Sequence, residues 1–407
     1  MPEPTLRRVV ITGLGAVSPV GIGVRDFADS LRAGRVGIGP ARSFDATPFP
    51  SRKAAEVDDF DPAALLHHLD PDRWGRSALL AAAASRLAVE DSGIDPLLLS
   101  AGRSGSIMGT TSGESAVAQS LGGQWVTQGL KGLEPRLVGQ LPAGQIAGAV
   151  NAELGLSGDA QTIPTACSAS NYALGYAFDM VRLGEADFML AGGADSVNRL
   201  THAGFYALGA MAQDLPQPFD ANRSGIITGE GGAALLLEPL DHALARGARI
   251  YAEVLGYAAN CDASHMVHPD ATSIADCIRA AHRNAGVVPD QIDYICAHGT
   301  GTPTNDATEV RAVRQVFGDR LPPISSIKSM LGHTMGAASG FGAIACCTAL
   351  EQGFLPPTAN LVETDPELGP GVDCVPGRGR DARVEIVQNH GFAFGGNNVI
   401  TILGRYL

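Results

Sequence analysis

Three side chains in this 407-residue chain stand where their chemistry is usable: one cysteine and two histidines, each following an apolar run. Cys167 lies in Thr165-Ala166-Cys167-Ser168-Ala169-Ser170, after the run 160–163 and before a helical pattern over 172–183. A cysteine on a strand-to-helix turn faces the positive end of the helix dipole, which favours thiolate over thiol and makes Cys167 the nucleophile candidate. Free cysteines are mostly small buried hydrophobes, and Cys261, Cys277, Cys296, Cys346, Cys347 and Cys374 keep that reading. His298 opens His298-Gly299-Thr300-Gly301-Thr302, a turn whose glycines let a ligand approach the backbone and whose hydroxyls can bond it. His333 ends Lys328-Ser329-Met330-Leu331-Gly332-His333 and precedes the small-residue helix start 336–340. Either histidine alone reads as a hydrogen-bonded structural residue. Together with Cys167 they read as a site, because open α/β sheets gather ligands at the carboxyl ends of strands. A fourth segment, Gly391-Phe392-Ala393-Phe394-Gly395-Gly396-Asn397-Asn398, is either a loop whose amides face an oxyanion or a hairpin turn over the core.

The elements that must carry these groups alternate along the chain. Strand-like runs at 8–12, 104–108, 160–163, 188–190 and 233–237 are followed by a second set at 250–255, 292–297, 324–327, 384–388 and 399–403. Helical patterns fall between them, at 273–285, 306–317 and 335–351 in the second half. The alternation predicts an α/β class built from βαβ units with a mostly parallel sheet. The similar order of elements in residues 1–245 and 246–407 predicts two related halves, the first carrying the cysteine and the second the two histidines and Lys328.

Composition narrows the function. Hydrophobic residues at 45% and charged residues at 17% give a chain able to bury a deep core. A formal charge of -13 argues against tracking of nucleic-acid phosphates. No run reaches the ~18 apolar residues of a membrane helix, so the expectation is a cytoplasmic protein with reduced thiols. Only Lys53, Lys131 and Lys328 are lysines among 29 basic residues, which makes Lys328 conspicuous. Gly13-Leu14-Gly15-Ala16-Val17-Ser18 lacks the third glycine of a dinucleotide loop, and Cys261, His265 and His268 have metal-like spacing without a fourth ligand. The expectation is that no metal is held.

Taken together, Thr165-Ala166-Cys167-Ser168, the loop from His298 to Thr302, the segment from Lys328 to His333 and Gly391 to Asn398 resemble the β-ketoacyl-acyl carrier protein synthases. More narrowly they resemble the elongating synthase II group and the type II polyketide ketosynthases. The likeness runs from Val9-Val10-Ile11-Thr12-Gly13 to the last strand and includes Pro218-Phe219-Asp220 and Gly229-Glu230-Gly231. It implies a thiolase fold, a duplicated five-layer αβαβα core, acting as a homodimer or as a heterodimer with a ketosynthase-like paralogue.

The resemblance also implies roles. Cys167 accepts an acyl chain from an acyl carrier protein, the oxyanion being held by the N–H groups of Cys167 and Phe394. His298 and His333 polarise the malonyl thioester, with Lys328 ordering the site beside Glu309 of Asp306-Ala307-Thr308-Glu309. Thr300 and Thr302 hold the pantetheine arm, Phe205 and Phe394 gate the acyl pocket, and Arg73 and Arg76 start the carrier-docking helix unless they are a solvated face. No cofactor is implied, because phosphopantetheine arrives on the carrier protein. The family's Arg-Asp-Gly-Phe reads Arg223-Ser224-Gly225-Ile226 here, and Val267 stands where a threonine is common, which points to a specialised polyketide or polyene substrate beside ordinary fatty-acid elongation. Two other readings remain: a non-catalytic chain-length partner, which as a rule lacks the cysteine, and a thiolase acting without decarboxylation.

Overall fold

The computed structural model describes residues 6–406. Ten strands make the framework, interleaved with helices: β1 (Val9–Ser18), α1 (Arg76–Ser92), β2 (Ser104–Gly109), α2 (Gln145–Leu154), β3 (Ala160–Ile163), α3 (Ala169–Arg182), β4 (Phe188–Asp195) and β5 (Gly231–Pro239) form the first half. The second half contains β6 (Ala252–Cys261), α4 (Ala271–Ala285), β7 (Tyr294–Cys296), α5 (Pro303–Phe317), β8 (Ile324–Ser325), α6 (Ala338–Gln352), β9 (Ile386–Phe392) and β10 (Asn397–Gly404).

The duplication is plain in the strand order. The first half runs β1-β5-β4-β2-β3 and the second β6-β10-β9-β7-β8, so the first, fifth, fourth, second and third strands are neighbours in both. Directions repeat as well. In each half the first three strands of that order pair antiparallel and the last three parallel, and β1 meets β6 antiparallel across the seam. The expected mostly parallel sheet is therefore corrected to a mixed one. The reason lies in connections that period alone does not reveal: β9 and β10 are joined by a tight turn at 393–396, which forces opposite directions.

Five layers result. Helices α1 and α2 cover the outer face of the first sheet, α4 and α5 that of the second, and α3 and α6 fill the space between. This is the thiolase fold. The ten residues of β1 are all buried, as a strand covered on both faces demands. Gly13 and Gly15 are needed for close packing: a Cβ at either would stand 2.0 and 1.8 Å from the Ala88 and Ala84 carbonyl oxygens of the alanine-rich α1. Helix α6 is buried almost throughout and contains no charged residue before Glu351. Among the described residues no helix is long and apolar enough to cross a membrane.

The two central helices begin alike. Each follows a short 3-10 turn, Ala166–Ser168 before α3 and Met335–Ala337 before α6, and each turn opens on a non-glycine residue with positive φ, 51° at Ala166 and 52° at Met335. Such backbone is strained and persists only where the surroundings over-determine it. By this register Cys167 in the first half corresponds to Gly336 in the second.

Candidate active site

Cys167 projects from its turn into a cavity of about 180 Å³, where the structure also brings His298, His333, Phe205, Ile226, Thr300, Thr302 and Phe394. The histidines arrive from the ends of β7 and the β8 segment, and Phe394 from the turn between β9 and β10. That turn is thus both a hairpin and a cavity wall, joining the two readings of its sequence.

Burial sets the state of the sulfur. The thiol is 4% exposed, and desolvation pushes its pKa up to about 12, with the Asp195 carboxylate acting in the same direction and the Lys328 ammonium against it. The expectation of a resting thiolate at the helix terminus is corrected: desolvation outweighs the Lys328 charge, so the group waits as a thiol. Both imidazoles are neutral as well. Burial and then the Lys328 charge hold His333 well below its ordinary 6.5; burial, Lys328 and His333 do the same for His298. The tautomer of His333 follows from its partner, because Nδ1 accepts the Met335 N–H at 3.1 Å and the ring proton therefore sits on Nε2. The rings of His298 and His333 lie 5.7 Å apart, and the buried Nδ1 of His298 has no partner among the described residues.

Lys328 lies behind the cavity wall. Its Nζ donates to the His298 carbonyl oxygen at 2.5 Å, and burial lowers its pKa. Lys328 and Glu309 form no salt bridge among the described residues, yet the Glu309 charge acts on the Lys328 ammonium from nearby. Glu309 is occupied with backbone, its two oxygens accepting the N–H groups of His298 and Gly299 at 2.8 Å each. The cation and the carboxylate thus meet through the His298 peptide, one on each side of it. Gly299 has φ +36°, and a Cβ there would lie 2.5 Å from Ser326 Cβ, so the turn needs glycine. Asp306 anchors the next part of the loop by accepting the N–H groups of Phe219 and Gly301, and burial raises its pKa to about 6. Thr300 and Thr302 share a hydroxyl–hydroxyl bond of 2.9 Å facing the cavity. Phe205, Ile226 and Met335 pack as one apolar patch with Phe394 against it.

Other expectations meet different outcomes. Arg76 already has a partner within the chain: its partly exposed guanidinium is paired with Glu230 through Nε at 3.0 Å and Nη2 at 2.6 Å, and Nη2 also donates to the Val57 carbonyl. The reason is that Glu230 is 1% exposed and needs a cation. Arg76→Ala is expected to lower stability by roughly 2 kcal/mol, less than a fully buried pair because the guanidinium is partly exposed. A urea midpoint unchanged from wild type would contradict this role. Arg73 is exposed beside Trp74 and Arg136 on a separate surface hollow. Cys261, His265 and His268 form no metal cluster among the described residues; His265 and His268 line the same cavity as Cys167 and bond each other, Nδ1 to Nδ1 at 3.0 Å.

Two groups escaped sequence reading. Asp195 closes β4 and collects the N–H groups of Thr111, Ser112 and Gly336, tying a loop of the first half to the turn that supports His333. The other is a buried chain, His282–Gln388–His390, ending on Glu309. A polar triplet, Gln388-Asn389-His390, in the middle of an otherwise apolar strand was its only trace.

Residues 6–243 match the family described as Beta-ketoacyl synthase, N-terminal domain, and residues 251–362 its C-terminal domain. The chain belongs to the β-ketoacyl synthase family. It is 38% identical over 411 residues to the 3-oxoacyl-[acyl-carrier-protein] synthase 2 of Synechocystis sp., covering 98% of each chain. It is also 38% identical to the tetracenomycin polyketide synthase ketoacyl synthase alpha subunit of Streptomyces glaucescens, over 98% of this chain and 97% of that one. Among solved structures, the ishigamide ketosynthase/chain length factor superposes with a TM-score of 0.97 at 47% identity, covering 99% of this chain and 100% of the other. A type II PKS acyl-carrier protein in complex with its ketosynthase bound to the hexaketide gives 0.90 at 29% identity, covering 99% and 100%. These β-ketoacyl synthases are acyltransferases.

Proposed function

We propose that this β-ketoacyl synthase is a catalytic ketosynthase subunit that condenses a Cys167-bound acyl chain with malonyl carrier protein, with loss of carbon dioxide. The observation that carries the reading is one cavity holding a cysteine at a helix start and two neutral imidazoles. A chain-length partner without chemistry has no use for that triad.

In the first half-reaction the Cys167 sulfur attacks the carrier thioester, its proton leaves with the carrier thiol, and the N–H groups of Cys167 and Phe394 hold the oxyanion. In the second, the malonyl carboxylate departs as carbon dioxide and its electron pair forms an enolate. The enolate oxygen takes hydrogen bonds from the imidazole N–H groups of His298 and His333. Each such donor is worth roughly 10²–10³ in rate. The enolate carbon then attacks the Cys167 thioester, and the released sulfur takes up a proton to restore the thiol. Neutral rings suit this work, since they donate without adding charge beside Lys328. Thr300 and Thr302 hold the pantetheine arm, while Phe205, Ile226 and Phe394 shape the acyl site. The partners are an acyl carrier protein and a second ketosynthase-like chain. The likeness to a ketosynthase/chain length factor and the Ile226 substitution favour polyketide over fatty-acid elongation.

The test is to supply acyl and malonyl carrier proteins and follow carbon dioxide release together with the intact mass of the enzyme. An acyl-sized mass gain and carbon dioxide support the reading; neither in wild type rejects it, and mass gain without carbon dioxide points to a thiolase. Decarboxylation should hold its plateau as pH falls to the ordinary imidazole value of 6.5, because both rings titrate well below it. Further acidification places a proton on His333 Nδ1, displaces the Met335 N–H and lowers the rate. An acid limb centred at or above 6.5 would contradict the assignment.

A further inference from the structure

The ketosynthase reading leaves a line of buried polar groups unused. His390 Nδ1 lies 2.7 Å from Glu309 Oε1, His390 Nε2 lies 2.5 Å from Gln388 Nε2, and Gln388 Oε1 lies 2.7 Å from His282 Nε2. His390 and Gln388 are at most 1% exposed and His282 is 4% exposed.

The bonds run in one direction. A carboxylate oxygen only accepts, so His390 Nδ1 carries a proton; the Gln388 amide N–H points at Nε2, so that nitrogen accepts. His282 then supplies the donor to the Gln388 carbonyl, and burial keeps His282 below its ordinary range. The same Glu309 oxygen that takes the His390 proton takes the His298 N–H. A second route reaches the same residue through rings in tilted contact: His390 meets Phe392 at 5.2 Å between centroids, and Phe392 meets the His298 ring at 5.5 Å. His390 thus touches the backbone anchor of His298 on one side and its imidazole support on the other, yet it does not line the cavity.

We propose that His390 is a positioning residue for His298, held as its Nδ1–H tautomer by Gln388 and His282, and that it acts on the decarboxylation step rather than on acylation. The inference rests on the ketosynthase reading for its step assignment; the tautomer does not. With Glu309 fixed, the His298 peptide is gripped between a carboxylate on its N–H and Lys328 on its carbonyl, and the ring is aimed at the enolate. Without His390 the carboxylate has one fewer donor and freedom to turn, and small displacements of a catalytic group are costly. Cys167 is held by a different turn, before α3, and has no part in this line.

The experiment compares wild type with His390→Phe, which keeps a ring but no donor, and His390→Asn, which restores an N–H toward Glu309. For each, acyl transfer to Cys167 is read by intact mass in a single turnover and carbon dioxide release from malonyl carrier protein is measured separately, with melting temperatures alongside. The expected result is a loss of about 10- to 100-fold in decarboxylation for His390→Phe, acylation within about twofold of wild type, and recovery of most of the loss in His390→Asn. Equal losses in both half-reactions, or no loss in either, overturn the inference while leaving the ketosynthase reading intact. Wild type lacking both activities overturns the reading and the step assignment together. Independently of activity, long-range proton–nitrogen spectra of ¹⁵N-histidine-labelled protein should give His390 the Nδ1–H pattern, its signals identified by their disappearance in His390→Phe. An Nε2–H pattern there overturns the tautomer whatever the catalysis.

Discussion

Cys167→Ala is expected to lower condensation by roughly 10⁴-fold or more, to abolish the acyl mass gain, and to leave carbon dioxide release from malonyl carrier protein within about tenfold of wild type. The split follows from where the groups sit. The sulfur is carried on the turn before α3, whereas His298 and His333 are placed from the other half of the chain, so deleting Sγ removes the electrophile and leaves the enolate-forming donors in position. His333→Ala should give the mirror outcome, with normal labelling of Cys167 and little carbon dioxide. Intact-mass analysis and carbon dioxide capture on the same samples read both. Full labelling of Cys167→Ala would place the acyl group on another residue and defeat the nucleophile assignment.

Lys328→Met has the broadest expected effect, because one ammonium bears on all three groups of the proposed site. Its charge draws the Cys167 thiol down against desolvation and keeps both imidazoles from protonating. Its removal takes the sulfur further from ionisation, which slows acylation. It also lets the imidazoles protonate at higher pH, so the acid limb of decarboxylation moves upward toward the ordinary imidazole range. The His298 carbonyl loses its donor in the same substitution. The overall rate should fall by roughly 10²–10³, with both half-reactions slowed, in contrast to the one-sided losses at Cys167 and His333. An unmoved acid limb would show that Lys328 acts by packing and not through its charge.

What the sequence made legible was local. Cys167, His298, His333 and Phe394 each sit within six residues of a strand-like run, and the strand–loop order that places them is written in consecutive residues. The strand Ala160–Ile163 and the end of α4 at Ala285 agree with the pattern to the residue. The losses came wherever the partner is distant. Glu309 pairs with a peptide eleven residues earlier and with His390 eighty-one residues later, and neither separation has a periodic signature. Arg76 meets Glu230 across 154 residues, so its sequence neighbourhood gave no warning that its charge was already matched. Strand directions failed for the same reason, since they depend on which ends the connections join. The resting thiol was missed because burial is a property of the assembled layers, whereas a helix terminus can be read from the chain.

The two matching helix starts bear on why a repeated scaffold carries a cysteine at only one of them. At Gly336, the counterpart of Cys167, any side chain would begin 2.4 Å from Thr110 Cα and 2.7 Å from an Asp195 oxygen, so even alanine has no room. The vacancy is filled by the opposite half's loop, drawn in by the Gly336 N–H to Asp195 bond. Ancestral symmetry has thus been spent on making one half the floor of the other's workshop, and grafting a second nucleophile would require rebuilding that floor first.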